Sequence, residues 1–265
     1  MKRLAEMLPE VCDLAVRAGE KVMRFYREGA DVTFKSDASP LTAADQASAG
    51  FLMKSLQQLL PEVPVVSEES DGATDPIDYT NLCWLVDPLD GTKEFVKRTN
   101  EFTVNIALMK ERVAVLGVVH APVLNLTYYA GREFGAWRRA NGDTPTSVST
   151  RGAGPFELGV VASKDHAGPL VNAMLARLTN PQLRSMGSSL KFCLVAEGKA
   201  DIYLRDLPTM EWDTAAAQCI VEAAGGGVYS LNGEPLAYGK PGLKNPPIIT
   251  VGDTSFDWRL LVSNL

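Results

Sequence analysis

The runs "FTVNIALMK" (102–110) and "RVAVLGVVH" (112–120) are separated by a single residue. That leaves no room for the crossover parallel strands require, so the two runs pair antiparallel. "CWLVD" (83–87) before them and "LTYYA" (126–130) after them are also apolar and closely spaced, and "VPVVS" precedes the set. Together they predict an antiparallel sheet in the first half of the chain. Two helices come before it. The opening "MKRLAEMLPEVCDLAVRAGEKVMRFYREG" carries Leu4, Leu8, Val11, Leu14, Ala18, Val22 and Phe25 at helical spacing, while Glu6, Glu10 and Asp13 break any apolar core of a signal peptide. A second helix is expected from Thr42 to Leu60, with Thr42 as N-cap and Pro61 closing it.

Beyond about residue 155 the pattern changes to "ELGVVAS" strand, "GPLVNAMLARL" helix, "QLRSM" strand, "SLKFCLVAEG" helix, "ADIYL" strand and "DTAAAQCIVEAAGG" helix. Such alternation predicts an α/β module with a largely parallel sheet. The expected organisation is an α+β N-terminal domain over 1–154 and an α/β C-terminal domain over 155–265, joined by the polar "RRANGDTPTSVSTRGAGPFE".

The net charge of -6 and the lack of basic runs make a nucleic-acid polymer or an anionic membrane surface a poor partner. No apolar run approaches the roughly 20 residues of a membrane span. Cys12, Cys83, Cys193 and Cys219 are far apart and form no CxxC pair, so they read as reduced core residues of a cytosolic protein. With only His120 and His166 present, a histidine-rich zinc site is not expected; His120 reads as structural and His166 as a surface loop residue.

Chemistry concentrates in "LVDPLDGTKEF", where Asp87 and Asp90 follow an apolar strand directly. Asp and Pro are turn formers, so the stretch could simply reverse the chain. Two further acidic ends weigh against that reading: "VVSEES" puts Glu68 and Glu69 after another strand, and "EWDTAAAQC" puts Asp213 at a helix start. Acidic side chains at three strand or helix ends, in a chain almost without histidine, point to oxygen-only coordination of a hard cation, and Mg²⁺ fits best. Side chains alternate along a strand, so only one of Glu68 and Glu69 turns readily toward such a site. Gly91 lets a phosphate approach the backbone, and the Thr92 hydroxyl and following amides can face it. Trp84 and Trp212 flank these acids as packing.

"WLVDPLDGTKEF", "SEES" and "EWDTAAAQCIVEAAGG", in that order over nearly the whole chain, resemble the lithium-sensitive, magnesium-dependent phosphatases that include inositol monophosphatase and fructose-1,6-bisphosphatase. "KSDASPLTAAD", "DGTKEFVKRTNEFTVNIAL", "GVVHAPV" and "GSSLKFCLVAEGKADIYLR" are most similar to the bacterial 3'(2'),5'-bisphosphate nucleotidases of the CysQ type. The resemblance implies a layered α-β-α-β-α sugar-phosphatase-like sandwich and removal of the 3'-phosphate from 3'-phosphoadenosine 5'-phosphate to give AMP. It further implies two or three Mg²⁺ ions on Glu68, Asp87, the Leu89 carbonyl, Asp90 and Asp213, with catalysis by Thr92, Asp45 and Glu68. Substrate contacts would come from Gly91, Thr92, Ser163, Lys164, Ser188, Lys191 and Arg205, and the loop with Lys35, Ser36 and Asp37 resembles a mobile active-site loop.

The expected partner is therefore a small phosphorylated nucleotide. The protein is expected as a monomer or homodimer, cytoplasmic and either free or peripheral at the inner membrane. Two other readings stay open: a phosphatase for inositol monophosphate or fructose 1,6-bisphosphate, which shares the metal core, and a non-catalytic sensor of phosphorylated nucleotides. A sensor is expected to lose Thr92 or a carboxylate, and this chain keeps both.

Overall fold

The computed structural model describes residues 2–29, 32–34, 40–70, 78–153, 157–162 and 168–263. Helix α1 (Lys2–Glu28) leads to strands β1 (Val32–Phe34) and β2 (Pro40–Thr42), a small antiparallel pair. Helix α2 (Ala43–Leu59) starts where the sequence places it, with Thr42 as N-cap: the Thr42 hydroxyl accepts from Ala44 N, and Asp45 returns a bond to the Thr42 backbone.

A seven-stranded sheet follows in chain order, from β3 (Val65–Ser67), β4 (Cys83–Asp90), β5 (Thr103–Lys110), β6 (Val113–Ala121), β7 (Leu126–Gly131), β8 (Gly135–Ala140) and β9 (Thr146–Val148), with helix α3 (Thr92–Val96) between β4 and β5. The sheet corrects the sequence reading twice. β3 pairs parallel to β4 (Ser67 opposite Val86), so both strands end on the same side. β8 and the edge strand β9 lie inside or beside the supposed polar join, since partly exposed strands lack the apolar signal of a core strand.

The second sheet runs β11-β10-β12-β16-β14, where β10 is Gly159–Ala162, β11 Gln182–Ser185, β12 Ile202–Arg205, β14 Gly227–Ser230 and β16 Ile248–Val251. β10 pairs parallel with β11 and β12, but β16 is antiparallel to both β12 and β14, so the sheet is mixed rather than largely parallel. β13 (Thr209–Met210) and β15 (Lys244–Asn245) make a short separate ribbon. Helices α4 (Pro169–Leu175), α5 (Leu190–Ala196), α6 (Glu211–Ala223) and α7 (Arg259–Val262) complete the chain.

Period-2 alternation decides what each strand touches. Trp84, Val86, Val104, Ile106, Leu108, Leu116 and Val118 pack beneath α1 and α2. Leu85, Ala107, Met109 and Val119 face the opposite way, against α5 and α6. The far side of the second sheet, with Ile202, Leu204 and Ile249, is covered by Val171 and Met174 of α4 and Val262 of α7. The result is five layers, α-β-α-β-α. Contact between α6 and the large sheet is close: a Cβ on Gly117 would lie 2.3 Å from the Ala216 carbonyl oxygen. No described helix is long and apolar enough to cross a membrane.

Candidate active site

Parallel β3 and β4 end together, and Glu68 N donates to Val86 O at 3.2 Å, which brings Glu68 beside Asp87. The register of β4 on β5 breaks between Asp87 and Asp90. That bulge frees Pro88 and Leu89 from the ladder, between Asp87 opposite Asn105 and Asp90 opposite Thr103. Inside it, Leu89 N donates to Asp87 Oδ1 at 3.0 Å, and the Ser48 hydroxyl of α2 donates to Pro88 O at 2.9 Å. Gly91 follows with φ 90°, a left-handed conformation that glycine adopts without strain, and α3 begins at Thr92.

Glu68, Asp87, Leu89, Asp90, Gly91, Thr92, Ser188, Lys191, Arg205 and Asp213 all line one cavity of about 480 Å³. Every described residue assigned a site role from sequence is there except Asp45, which lies just behind: its Oδ1 is 3.4 Å from the Thr92 hydroxyl, itself 3.2 Å from Leu89 O. Glu68 lines the cavity and Glu69 does not; both lie in the turn that follows β3, so the turn rather than strand alternation separates them. Lys35, Ser36, Asp37, Ser163, Lys164 and His166 lie outside the described residues.

The electrostatics are lopsided. Asp87 is buried, and burial, followed by the charges of Glu68, Asp90 and Asp213, holds its carboxyl well above the usual aspartate range. Asp213, whose Oδ2 accepts from Met210 N at 2.8 Å, is raised by burial and then by Asp90. Asp45 is raised too, chiefly by burial, against the Thr42 hydrogen bonds that lower it. Lys191 is buried across the same cavity; burial lowers its ammonium to about 8, with Asp90 pulling the other way. Its Nζ sits 5.5 Å over the Tyr203 ring. Arg205 ends β12, with its Nε buried and without a hydrogen-bond partner among the described residues. Ser188 lies ahead of α5 with φ 47°, and Lys191 is in the first turn of that helix.

Several site residues escaped the sequence reading. Ser189 N and Oγ reach Asp90 Oδ2 at 2.6 and 2.7 Å, and Thr103 and Asn105 reach the same oxygen at 3.3 Å. Thr103 and Asn105 were hidden inside an apolar run, although polar residues at alternate positions of a buried strand mark one face as polar at its end. Glu211, fully buried before Asp213, accepts from Tyr79 OH, Gly239 N and Lys240 N at 2.7 to 2.9 Å and pairs with Lys240 Nζ. It anchors the start of α6 and hence Asp213. Tyr203, Phe192 and the Leu207–Thr209 segment also line the cavity.

Among the described residues no three acidic, histidine or cysteine side chains converge on one point; the carboxylates ring the cavity. Like charges in a buried space repel. The donor set nevertheless fits a hard divalent cation, being carboxylate and carbonyl oxygen with neither histidine nor cysteine among the described lining residues.

The family model described as "Inositol monophosphatase family" matches residues 3–252. The chain belongs to the inositol monophosphatase family. Within that family it is 47% identical over 234 residues to the 3'(2'),5'-bisphosphate nucleotidase CysQ of Escherichia coli K12, a match covering 88% of this chain and 94% of the relative. The CysQ nucleotidase of Haemophilus influenzae is 37% identical over 258 residues, 96% of this chain and 95% of the relative. Among solved structures, CysQ from Bacteroides thetaiotaomicron, described as a bacterial member of the family, superimposes with a TM-score of 0.77 at 39% identity, over 91% of this chain and 94% of that one. A Thermotoga maritima inositol monophosphatase shares the family fold, with a TM-score of 0.77 at 24% identity over 100% of this chain and 97% of its own.

Proposed function

We propose that the protein is a Mg²⁺-dependent phosphomonoester hydrolase that removes the 3'-phosphate of 3'-phosphoadenosine 5'-phosphate, leaving AMP. One observation carries the choice of substrate: a single cavity is lined both by four carboxylates (Glu68, Asp87, Asp90, Asp213) and by two cations (Lys191, Arg205). A substrate with two phosphates engages both. The relatives named for 3'(2'),5'-bisphosphate nucleotidase activity support the same reading, and the family is generally Mg²⁺-dependent.

In this reading Glu68, Asp87, Leu89 O, Asp90 and Asp213 hold two or three Mg²⁺ ions. Bound there, Mg²⁺ supplies Lewis-acid activation of water and neutralises charge on the departing ribose oxygen. The rest falls to the chain. Thr92 accepts a hydrogen bond from the attacking water and donates its own proton toward Asp45 or Leu89 O, which fixes the direction in which it accepts. The open backbone at Gly91 and Thr92 receives the scissile phosphate. Lys191, Arg205 and Ser188 hold the 5'-phosphate and so orient the nucleotide. The water oxygen bonds to phosphorus, the phosphorus–ribose oxygen bond breaks, and the ribose oxygen takes up a proton, with no covalent phosphoenzyme.

The test is phosphate release from 3'-phosphoadenosine 5'-phosphate, inositol monophosphate and fructose 1,6-bisphosphate, with Mg²⁺ or with a chelator. The nucleotide should exceed the sugar phosphates in kcat/KM by about tenfold or more, and chelation should stop all turnover. Equal efficiency on the sugar phosphates would replace this reading with a general sugar phosphatase.

A further inference from the structure

We propose that Ser189 is a positioning residue: by bridging Asp90 and the backbone of Asp213 it fixes the separation of these two carboxylates and so sets the affinity of the cavity for its divalent cation. The inference rests on the reading of Asp90 and Asp213 as metal ligands. It starts from a residue that can donate twice: its N–H reaches Asp90 Oδ2 at 2.6 Å, which leaves the single hydroxyl proton free to go to Asp213 O. Ser189 Oγ lies 2.7 Å from Asp90 Oδ2 at the end of β4 and 2.8 Å from Asp213 O in α6, and it accepts from Asn105 Nδ2 of β5 at 2.9 Å. A serine in this position would ordinarily cap the helix that follows. Ser189 makes no side-chain bond to α5, so its hydroxyl serves the cavity wall instead.

The bonds to Asp90 all fall on one oxygen. Ser189 N and Oγ, Thr103 Oγ1 and Asn105 Nδ2 gather on Oδ2. Among the described residues the carboxylate is thus gripped by one oxygen, Oδ2. The backbone is shaped to permit this grip. A Cβ on Gly187 would stand 2.7 Å from the Glu101 carbonyl oxygen, so only glycine lets the chain approach β5 closely enough. Ser188 then takes a positive φ of 47°, and the turn presents the Ser189 N–H to Asp90. Asp90 and Asp213 come from opposite halves of the chain and carry like charge. Without a bridge between them, repulsion widens their separation, and a small cation with strict geometry tolerates that poorly.

Ser189→Ala keeps the backbone donor and removes the bridge. Titration calorimetry of the metal-free protein with Mg²⁺ should show binding weakened by about tenfold or more, the range for partners that orient a metal ligand. The Mg²⁺ concentration for half-maximal activity should rise in parallel, while KM for the nucleotide at saturating Mg²⁺ changes less than about twofold. If Ser189→Ala does not fold, Ser189→Gly, which likewise keeps the backbone donor and lacks the hydroxyl, should weaken Mg²⁺ binding by about tenfold or more. A variant that melts earlier yet binds Mg²⁺ as tightly as wild type would assign the residue to the fold and overturn the proposal. Wild-type protein that does not bind Mg²⁺ would instead overturn the metal reading of the cavity, and the two failures are distinguishable because the wild type is measured first.

Discussion

An ammonium shut away from water is stabilised chiefly by anions, and Lys191 is in that position: buried, facing a ring, with Arg205 lining the same cavity. A charge-assisted contact to a phosphate contributes roughly 1.5 to 3 kcal/mol. Lys191→Ala or Arg205→Ala should therefore raise KM for 3'-phosphoadenosine 5'-phosphate by about tenfold or more, with little effect on a nucleotide lacking the 5'-phosphate. Equal losses on both substrates would move these residues from recognition to support of the fold. His120 shows the opposite use of burial. Its Nδ1 lies 2.9 Å from the Thr127 hydroxyl, a Cβ on Gly19 would stand 2.7 Å from its Cδ2, and burial pushes its pKa down to about 4. The unfolded chain binds this proton near 6.5, the folded protein only near 4. Its contribution to stability is therefore complete above the unfolded value and is lost as pH falls through that window. Urea titrations should show about 2 kcal/mol less stability at about pH 5 than at about pH 7 from this residue. His120→Gln should lose that much less over the same interval, and identical losses in the two proteins would refute the assignment.

The β5–β6 hairpin is the element the sequence specified most tightly, yet its turn departs from the usual chemistry. Glu111 and Arg112 both take positive φ, 51° and 65°, which a two-residue turn between twisted strands demands and which asparagine or glycine tolerates better. Arg112 has local reasons to stay, since its N–H donates to Tyr79 O. Glu111 is exposed, and among the described residues its side chain makes a 3.9 Å ion pair with neighbouring Lys110. Glu111→Asn should thus raise unfolding free energy by about 0.5 to 1 kcal/mol in denaturant titration, without altering kcat. An unchanged or lower midpoint would show that the turn is held by its strands alone. Legibility follows the same physics. β5, β6, α1 and α2 were readable because their apolar residues repeat with the period of the element. β8 and β9 were not, because partly exposed strands toward the sheet's end carry arginine and threonine where a core strand carries valine. The parallel pairing of β3 with β4 was also invisible, since two separated runs do not state their relative direction. Acidic strand ends announced Glu68, Asp87 and Asp90, while Ser189, Asn105 and Glu211 matter through partners far along the chain, which no local pattern records.

At the scale of the whole molecule, five layers converge on a problem of charge. The large sheet delivers Glu68, Asp87 and Asp90, and α6, wedged between the sheets and pressed on Gly117, delivers Asp213 into the same cavity. A carboxylate in the first turn of a helix gains about 0.3 to 1 kcal/mol from the helix dipole. Burial, and after it the charges of Asp90 and Glu68, oppose it, and the carboxyl is held well above the usual range, so burial with repulsion outweighs the dipole. Asp213→Asn keeps the shape, and its amide oxygen can still accept from Met210 N. The metal-free variant should therefore melt at a higher temperature than metal-free wild type. Mg²⁺ should reverse the order. At a hundredfold excess over its Kd a cation that binds only the folded protein adds about 2.7 kcal/mol, which the wild type gains and the variant, missing a ligand, largely forgoes. Differential scanning calorimetry of both proteins, with Mg²⁺ and with a chelator, reads all four states. A variant that keeps the full Mg²⁺ gain would remove Asp213 from the metal site, and one that melts below metal-free wild type would show that the charge at the start of α6 stabilises the empty cavity rather than straining it.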